Sequence, residues 1–242
     1  MSSSIHTAMV LAAGMGSRLR PLTDDTPKPL INVGGKPVIV RTLDMLAAAG
    51  IRHVVINNHY LPLLVESTVR ANTPRGVTVH FSNEPALLET GGGVKKALPL
   101  LGNEPFLVVN SDAVWLDRKT PLIRPLMDAF DLKKHDTLLA VVDAEKMKEF
   151  QPLGDFKLDK RTKKLNRKGL RSGWDVIYAG VHVTHPAFVA QGPAGPFSLN
   201  VLWFDAMERK RLGGFLYNGA WADMGTHSGL KVARALVSGL KG

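Results

Sequence analysis

Short apolar runs without polar alternation recur through the first 143 residues, and between them lie stretches whose apolar residues follow helical spacing. Thr7–Ala13 (TAMVLAA), His53–Asn58 (HVVINN), Val77–Phe81 (VTVHF), Pro105–Asn110 (PFLVVN) and Thr137–Asp143 read as strands. Lys36–Ala49, with Pro37 near its start and Gly50 as its stop signal, Leu61–Ala71, Gly93–Leu101 and Thr120–Phe130 read as helices. Helical crossovers are what parallel neighbouring strands require. A strand that is apolar on both sides has no face to give to water, so helices must cover both faces of the sheet. After Ala144 the rhythm changes. Hairpin-like pieces around Phe156–Leu165 and Val176–Thr184 are followed by helical spacing at Ser198–Arg209 and His227–Ser238. No repeat, low-complexity tract or long linker divides the chain. It reads as one α/β domain over residues 1–242, a mostly parallel sheet flanked by helices with a partly antiparallel C-terminal extension.

Ligands of open α/β sheets sit beyond the C-terminal ends of the strands, and Leu11–Leu30 (LAAGMGSRLRPLTDDTPKPL) leaves the first strand at such an end. Gly14 and Gly16 let the backbone approach a ligand with its N–H groups. Arg18 adds a planar charged fork and Lys28 a point charge, while Pro21, Pro27 and Pro29 limit the entropy lost on binding. Together they describe a cradle for a polyphosphate. It is neither familiar phosphate loop: Gly14–Leu19 lacks the third glycine of the dinucleotide fingerprint, and no Gly-x-x-x-x-Gly-Lys-Ser/Thr occurs.

Three further stretches lie where chemistry is expected. Glu89-Thr90-Gly91-Gly92-Gly93 stands before a helix start. Three consecutive glycines are costly to order, so either the backbone approaches something closely or the stretch is a loose, capped loop. Val108–Asp112 is a buried strand ending in an acid. A carboxylate there suits Mg²⁺, and a surface turn is the other reading. Trp221–Thr226 (WADMGT) either completes such a site or simply turns a strand into the helix after His227, with Thr226 as its N-cap. Asp112 and Asp223 are 111 positions apart, so the sequence alone does not show that they meet.

Leu11–Thr23, Thr26–Leu30 and Gly34–Pro37 together resemble the motif L-A-A-G-x-G-[ST]-R-(L/M)-x-P-L-T…x-P-K-P-L of the sugar-1-phosphate nucleotidylyltransferases. Leu88–Gly93 (LETGGG) is similar to the form in N-acetylmuramate-1-phosphate uridylyltransferases. Asn110-Ser111-Asp112 matches the family's N-G-D or N-S-D, although Ala113-Val114-Trp115 departs slightly from the N-G-D-x-W spacing. Trp221–Thr226 matches W-x-D-x-G-T. The likeness runs from Met9 to about Leu236. It implies a Rossmann-like, GT-A-like nucleotidyltransferase fold, with a nucleotide-binding part over about 1–143 and a sugar-phosphate-binding part over about 144–242. It implies that Gly14, Gly16, Arg18 and Lys28 meet a nucleoside triphosphate, with Ala12 and Ala13 near the nucleoside. Thr90, Gly91 and Gly92 would read the base, and Gly154, Asp155 and Gly180 would meet the sugar phosphate. Asp112 and Asp223 would bind Mg²⁺, and with Arg18 and Lys28 form the catalytic set. The activity so implied is transfer of a nucleotidyl group to a sugar 1-phosphate with release of pyrophosphate, first of all from UTP to N-acetylmuramate 1-phosphate. A mannose- or heptose-1-phosphate guanylyltransferase is the enzyme alternative. A catalytically silent nucleotide-binding regulatory protein is the alternative of a different class, and the presence of both acids argues against it.

The absence of cysteine excludes disulfides, thiolate-bound zinc, iron–sulfur clusters and cysteine nucleophiles. The eight histidines show no zinc-ligand spacing, and no G-x-S-x-G elbow occurs. Nucleic acid is raised by the net charge of +10, but Lys157–Arg171 (KLDKRTKKLNRKGLR) alone supplies +7. That stretch reads as a solvated hairpin or as a collar steering anionic substrates. No aromatics alternate with its charges, so no stacking surface is suggested. No nucleic-acid or membrane partner is expected. The N-terminus makes a poor signal peptide, and no apolar run approaches the ~20 residues of a bilayer span. The expectation is a cytoplasmic protein, with a monomer favoured.

Overall fold

The computed structural model describes residues 5–117, 120–147, 154–167 and 173–239. The first part of the chain runs β1 (Thr7–Leu11), α1 (Val38–Ala48), β2 (His53–Asn58), α2 (Pro62–Asn72), β3 (Thr78–Asn83), α3 (Glu89–Leu101) and β4 (Phe106–Asn110). The four strands lie parallel in the order β3-β2-β1-β4. Successive side chains of β1 enter opposite layers: Ala8 and Val10 pack with Ile39, Leu43 and Ile56, whereas Met9 packs with Val55, Val94 and Val108. This is why Ala8–Val10, the buried centre of the run TAMVL, carries no polar position.

The second part contributes β5 (Ala113–Leu116), α4 (Ile123–Ala129), β6 (Thr137–Asp143), β7 (Phe156–Leu158), β8 (Leu165–Arg167), β9 (Trp174–Thr184), α5 (Asn200–Glu208), β10 (Leu212–Leu216), β11 (Ala220–Asp223) and α6 (His227–Ser238). β9 runs antiparallel to β4 and to β6, β10 lies parallel to β6, and the β7–β8 hairpin pairs with the first three residues of β9. The expected α/β fold with a partly antiparallel extension is therefore present. Of the basic stretch Lys157–Arg171, the residues to Arg167 form the hairpin, and Lys168 to Arg171 lie outside the described residues. No helix among the described residues is long and apolar enough to cross a membrane.

Most element boundaries differ from the sequence reading by one to three residues, and two of the differences bear on the site. α1 begins at Val38 rather than Lys36, because Lys36–Pro37 pairs with Asn32–Val33 as a short antiparallel ladder. α3 begins at Glu89 rather than Gly93, so the glycine-rich stretch is the helix's first turn and not a loop before it. Helix propensity argues against Gly-Gly-Gly in that place, but packing overrides it. A Cβ on Gly91 would lie 2.3 Å from the Phe197 ring, and one on Gly93 would lie 2.7 Å from Glu84 Oε1.

One core group makes stability depend on pH. His182 on β9 is fully buried, packs edge-on against Trp203 with ring centroids 5.4 Å apart, and holds Tyr178 Oη at 2.7 Å through Nδ1. Its Nε2 has no hydrogen-bond partner, and burial pulls its pKa down to about 3. The unfolded chain thus takes up this proton near pH 6.5, and the folded chain does so only near 3. Stability is expected to fall as pH drops through that window, with up to about 1.4 kcal/mol per pH unit from this residue. Denaturant titrations of His182→Gln beside the wild type should show a shallower acid loss in the variant, and parallel curves would refute the assignment.

Candidate active site

The acids of the two distant motifs meet because of a two-stranded ribbon. β5 and β11 pair antiparallel, with Trp115 opposite Trp221 and Ala113 opposite Asp223, and Met224 N–H donates to Asp112 O at 3.0 Å. This register puts Asp223 next to the loop that carries Asp112. Gly225 is the floor between them. A Cβ built there would be 2.9 Å from Asp223 Oδ1, 3.1 Å from Arg18 Nη2 and 3.3 Å from Asp112 Oδ2. An atom above Gly225 would thus be within reach of both carboxylates. Two hard oxygen donors around such a space fit a divalent cation of the Mg²⁺ type, whose other ligands are ordinarily water and phosphate oxygens. Among the described residues no group of three or more His, Asp or Glu side chains gathers to hold a metal by itself.

The electrostatics agree with an anionic pair lacking full counter-charge. Asp223 keeps an exposed flank, but protein atoms crowd its carboxyl. That desolvation, then the charge of Asp112, pushes its pKa up to about 6, against the Gly225 N–H, Lys28 and Arg18. Lys28 Nζ lies 2.7 Å from Asp112 Oδ2 in a pair largely shielded from solvent. Tyr178 is held well above the usual phenol range by burial first and the Asp112 charge second.

Two cavities open on either side of this centre. One, of about 300 Å³, is lined by Ala13, Gly14, Lys28 and Asp112 at one end and by Asn57, Glu84, Glu89 and Thr90 at the other. The second, of about 330 Å³, is lined by Arg18, Met147, Ile177, Trp221, Asp223 and Thr226, among others. Of the opening loop, Ala13, Gly14 and Lys28 line the first, whereas Ala12 and Gly16 line neither. Gly16 takes a left-handed φ of 67°, and a Cβ there would approach Thr23 Cγ2 to 2.9 Å. Ala12 N–H donates to Asn57 Oδ1 at 2.8 Å, and Asn57 Nδ2 donates to Glu84 Oε1 at 2.7 Å. Glu84 Oε2 in turn accepts from Leu88 N–H at 3.1 Å. The ends of β1, β2 and α3 are thereby tied into one buried network.

Several residues singled out from the sequence stand differently from the expectation. Arg18 faces the second cavity, beside Asp223, rather than lining the one with Gly14 and Lys28. The N–H groups of Gly91 and Gly92 both donate to Phe197 O, at 2.8 and 3.1 Å, so neither is free to pair with a base. Thr90 does line the cavity, although its Oγ1 accepts from Leu199 N–H at 3.0 Å. Gly180 sits where β9 slips register against β6, with φ 77°, and a Cβ there would meet Ala113 Cβ at 2.7 Å. Gly154 approaches Val176 O, and Asp155 Oδ2 accepts from Tyr178 N–H at 2.9 Å. Gly180 thus shapes the bulge behind the Asp112 loop, Gly154 and Asp155 pack on the strand just before it, and none of the three lines the 330 Å³ cavity. Asn57 and Glu84 carry no motif of their own. Their one signal is polarity at the C-terminal end of a buried strand and just beyond the next.

A family model described as nucleotidyl transferase matches residues 7–167. Over 93% of its length and 94% of the other protein, the chain is 38% identical to the N-acetylmuramate alpha-1-phosphate uridylyltransferase of Caulobacter vibrioides. It is 31% identical to the mannose-1-phosphate guanyltransferase of Yarrowia lipolytica over 90% of this chain, which spans 60% of that protein. The structure of the inositol-1-phosphate CTP transferase from T. maritima shares the fold, with a TM-score of 0.77 at 20% identity over 100% of this chain and 98% of the other.

Proposed function

The chain belongs to the nucleotidyl transferase family, and on that premise we propose that it joins UTP to N-acetylmuramate 1-phosphate with release of pyrophosphate. The observation that carries the reading is the pair of cavities meeting at Asp112 and Asp223. A bisubstrate transfer between two phosphate-bearing molecules needs two pockets that share one charged centre. The first cavity takes the nucleotide, its phosphates toward Gly14 and Lys28. The second takes the sugar, its phosphate toward Arg18. This division supports a nucleotide part over about residues 1–143 and a sugar part over about 144–242, since the first cavity's lining ends at Asp112 and the second's, Arg18 apart, begins at Met147. Identity of 38% over nearly the whole of a uridylyltransferase favours uracil and the muramate sugar. The guanylyl alternative rests on a relative of 31% identity whose length exceeds this chain's.

The chemistry needs no general base. A sugar 1-phosphate loses its second proton near pH 6, roughly, so at neutral pH the attacking oxygen is already anionic. That oxygen attacks the α-phosphorus, and the bond to the β-phosphate oxygen breaks to release pyrophosphate. The protein must bring two polyanions together and stabilise charge on the leaving group. Lys28 is placed to neutralise the leaving pyrophosphate, and Arg18 to orient the incoming phosphate. Asp112 and Asp223 would hold Mg²⁺, which when bound supplies positive charge to the reacting phosphates.

Pyrophosphate release, followed over a panel of nucleoside triphosphates and sugar 1-phosphates with Mg²⁺, tests the proposal. UTP with N-acetylmuramate 1-phosphate is expected to exceed every other pair. Release confined to GTP with a mannose- or heptose-type sugar would keep the mechanism and overturn the substrates. Silence with nucleotide binding intact would favour a regulatory protein.

A further inference from the structure

Two acids line the nucleotide cavity at the end away from Gly14 and Lys28, and they are not alike. Glu84 is buried, and both its carboxylate oxygens are engaged by Asn57 and Leu88. Glu89 is exposed at the rim beside Thr90, and among the described residues its carboxylate has no hydrogen bond or ion pair. Two features make Glu89 an unfavourable choice for its position. Its backbone is left-handed, with φ 58°, a conformation suited to glycine and strained for any residue with a Cβ. Its charge is also of the wrong sign for a pocket that receives a triphosphate. The positive end of the α3 dipole offsets part of this, but an acid elsewhere in the first turn, at an ordinary φ, would serve the helix equally well.

Resting on the nucleotide reading above, we propose that Glu89 accepts a hydrogen bond from the ribose 2′-hydroxyl of the bound nucleoside triphosphate, and so sets a preference for ribonucleotides over 2′-deoxyribonucleotides. A carboxylate can only accept. The donors that a nucleoside offers are its base N–H groups and its ribose hydroxyls. The buried polar groups Asn57 and Glu84 mark the deep end of the cavity, where a base edge is read. The ribose joins that base to phosphates lying against Gly14 and Lys28, so its hydroxyls pass along the rim where Glu89 stands. Hydroxyl donors to an ionised acceptor make strong hydrogen bonds, which compensates both the strain and the misplaced charge.

Calorimetric titration of the wild type and Glu89→Gly with UTP, dUTP, GTP and dGTP, in Mg²⁺ and without a sugar acceptor, tests this, with the thermal midpoint recorded for each protein. The wild type is expected to bind its preferred ribonucleotide more tightly than the deoxy form. In Glu89→Gly the ribonucleotide should weaken about tenfold, the usual cost of one charge-assisted hydrogen bond, while the deoxynucleotide does not weaken. The thermal midpoint should hold or rise, because glycine suits the left-handed backbone. An unchanged ratio of ribo to deoxy affinity would overturn the inference, and a lowered midpoint alongside it would assign Glu89 to the helix start. Equal losses for both forms would assign Glu89 to the base and overturn the ribose contact. A wild type that binds none of the four nucleotides would overturn the nucleotide reading itself.

Discussion

Replacing Asp112 with asparagine should lower turnover by roughly three orders of magnitude while leaving the fold in place. The two side chains have the same shape, so the β5–β11 ribbon, which holds position 112 through its backbone carbonyl, is not disturbed. What is lost is charge. The neutral amide would leave Lys28 without the anion now 2.7 Å from its Nζ, and would leave Asp223 as the single carboxylate above Gly225. One carboxylate holds a divalent cation far less well than two. The Asp223 pKa should also fall, because the Asp112 charge is the second of the two influences holding it up. Pyrophosphate release at saturating substrates measures the loss, and a circular-dichroism melt measures the fold. Near-normal Mg²⁺-dependent release by a folded Asp112→Asn protein would remove Asp112 from the mechanism. A collapsed melt would show instead that the Lys28–Asp112 pair is structural. Nucleotide binding by the folded variant distinguishes a lost chemical step from a lost pocket.

How much of this was legible in the chain depends on the kind of signal each residue leaves. β2 was readable to the residue, because its buried centre Val54–Ile56 is an unbroken apolar run with His53 before it and Asn57 and Asn58 closing it. The opening loop was readable because glycine, proline and cations in one stretch have few structural uses. The first turn of α3 was not, because Gly91 and Gly93 exist to admit Phe197 and Glu84, and a packing partner distant in sequence leaves no local trace. The same limit applies to Gly180. Its glycine signals close approach, and the sequence suggested a sugar phosphate, yet the neighbours are Ala113 and Asn110. The meeting of Asp112 and Asp223 was hidden for a third reason. It depends on the register of two four-residue strands that, among the described residues, pair only with each other. Such short strands have too little pattern to reveal a partner, so the motif likeness suggested the pair and the ribbon supplies its physical cause.

That ribbon also locates the glycine with the tightest backbone contact among the described residues. Gly229, in the first turn of α6, carries no motif, yet a Cβ there would lie 2.0 Å from the backbone oxygen of Asp223. Its N–H also donates to Thr226 Oγ1 at 3.1 Å, the cap of the helix. Neither a backbone carbonyl nor a capped helix start can move aside cheaply. Gly229→Ala must therefore push β11 away from α6 and carry Asp223 with it. Overpacking of this kind costs about 1–3 kcal/mol or more. In a chain of this size that corresponds to a fall of roughly 2–12 °C in the melting midpoint. Turnover should fall with it, since the two carboxylates would no longer face one point. Gly225→Ala supplies the contrast. Its Cβ would meet side-chain ends, Asp223 Oδ1, Arg18 Nη2 and Asp112 Oδ2, at 2.9 to 3.3 Å. Those ends can rotate, so stability should hardly change, while the space between the carboxylates is filled and turnover is lost. Melts and pyrophosphate release for the two variants should therefore separate, with one protein losing both properties and the other only activity. Equal and small effects from both substitutions would mean that α6 does not hold Asp223 in place, and that the closeness of the two acids is not what the activity depends on.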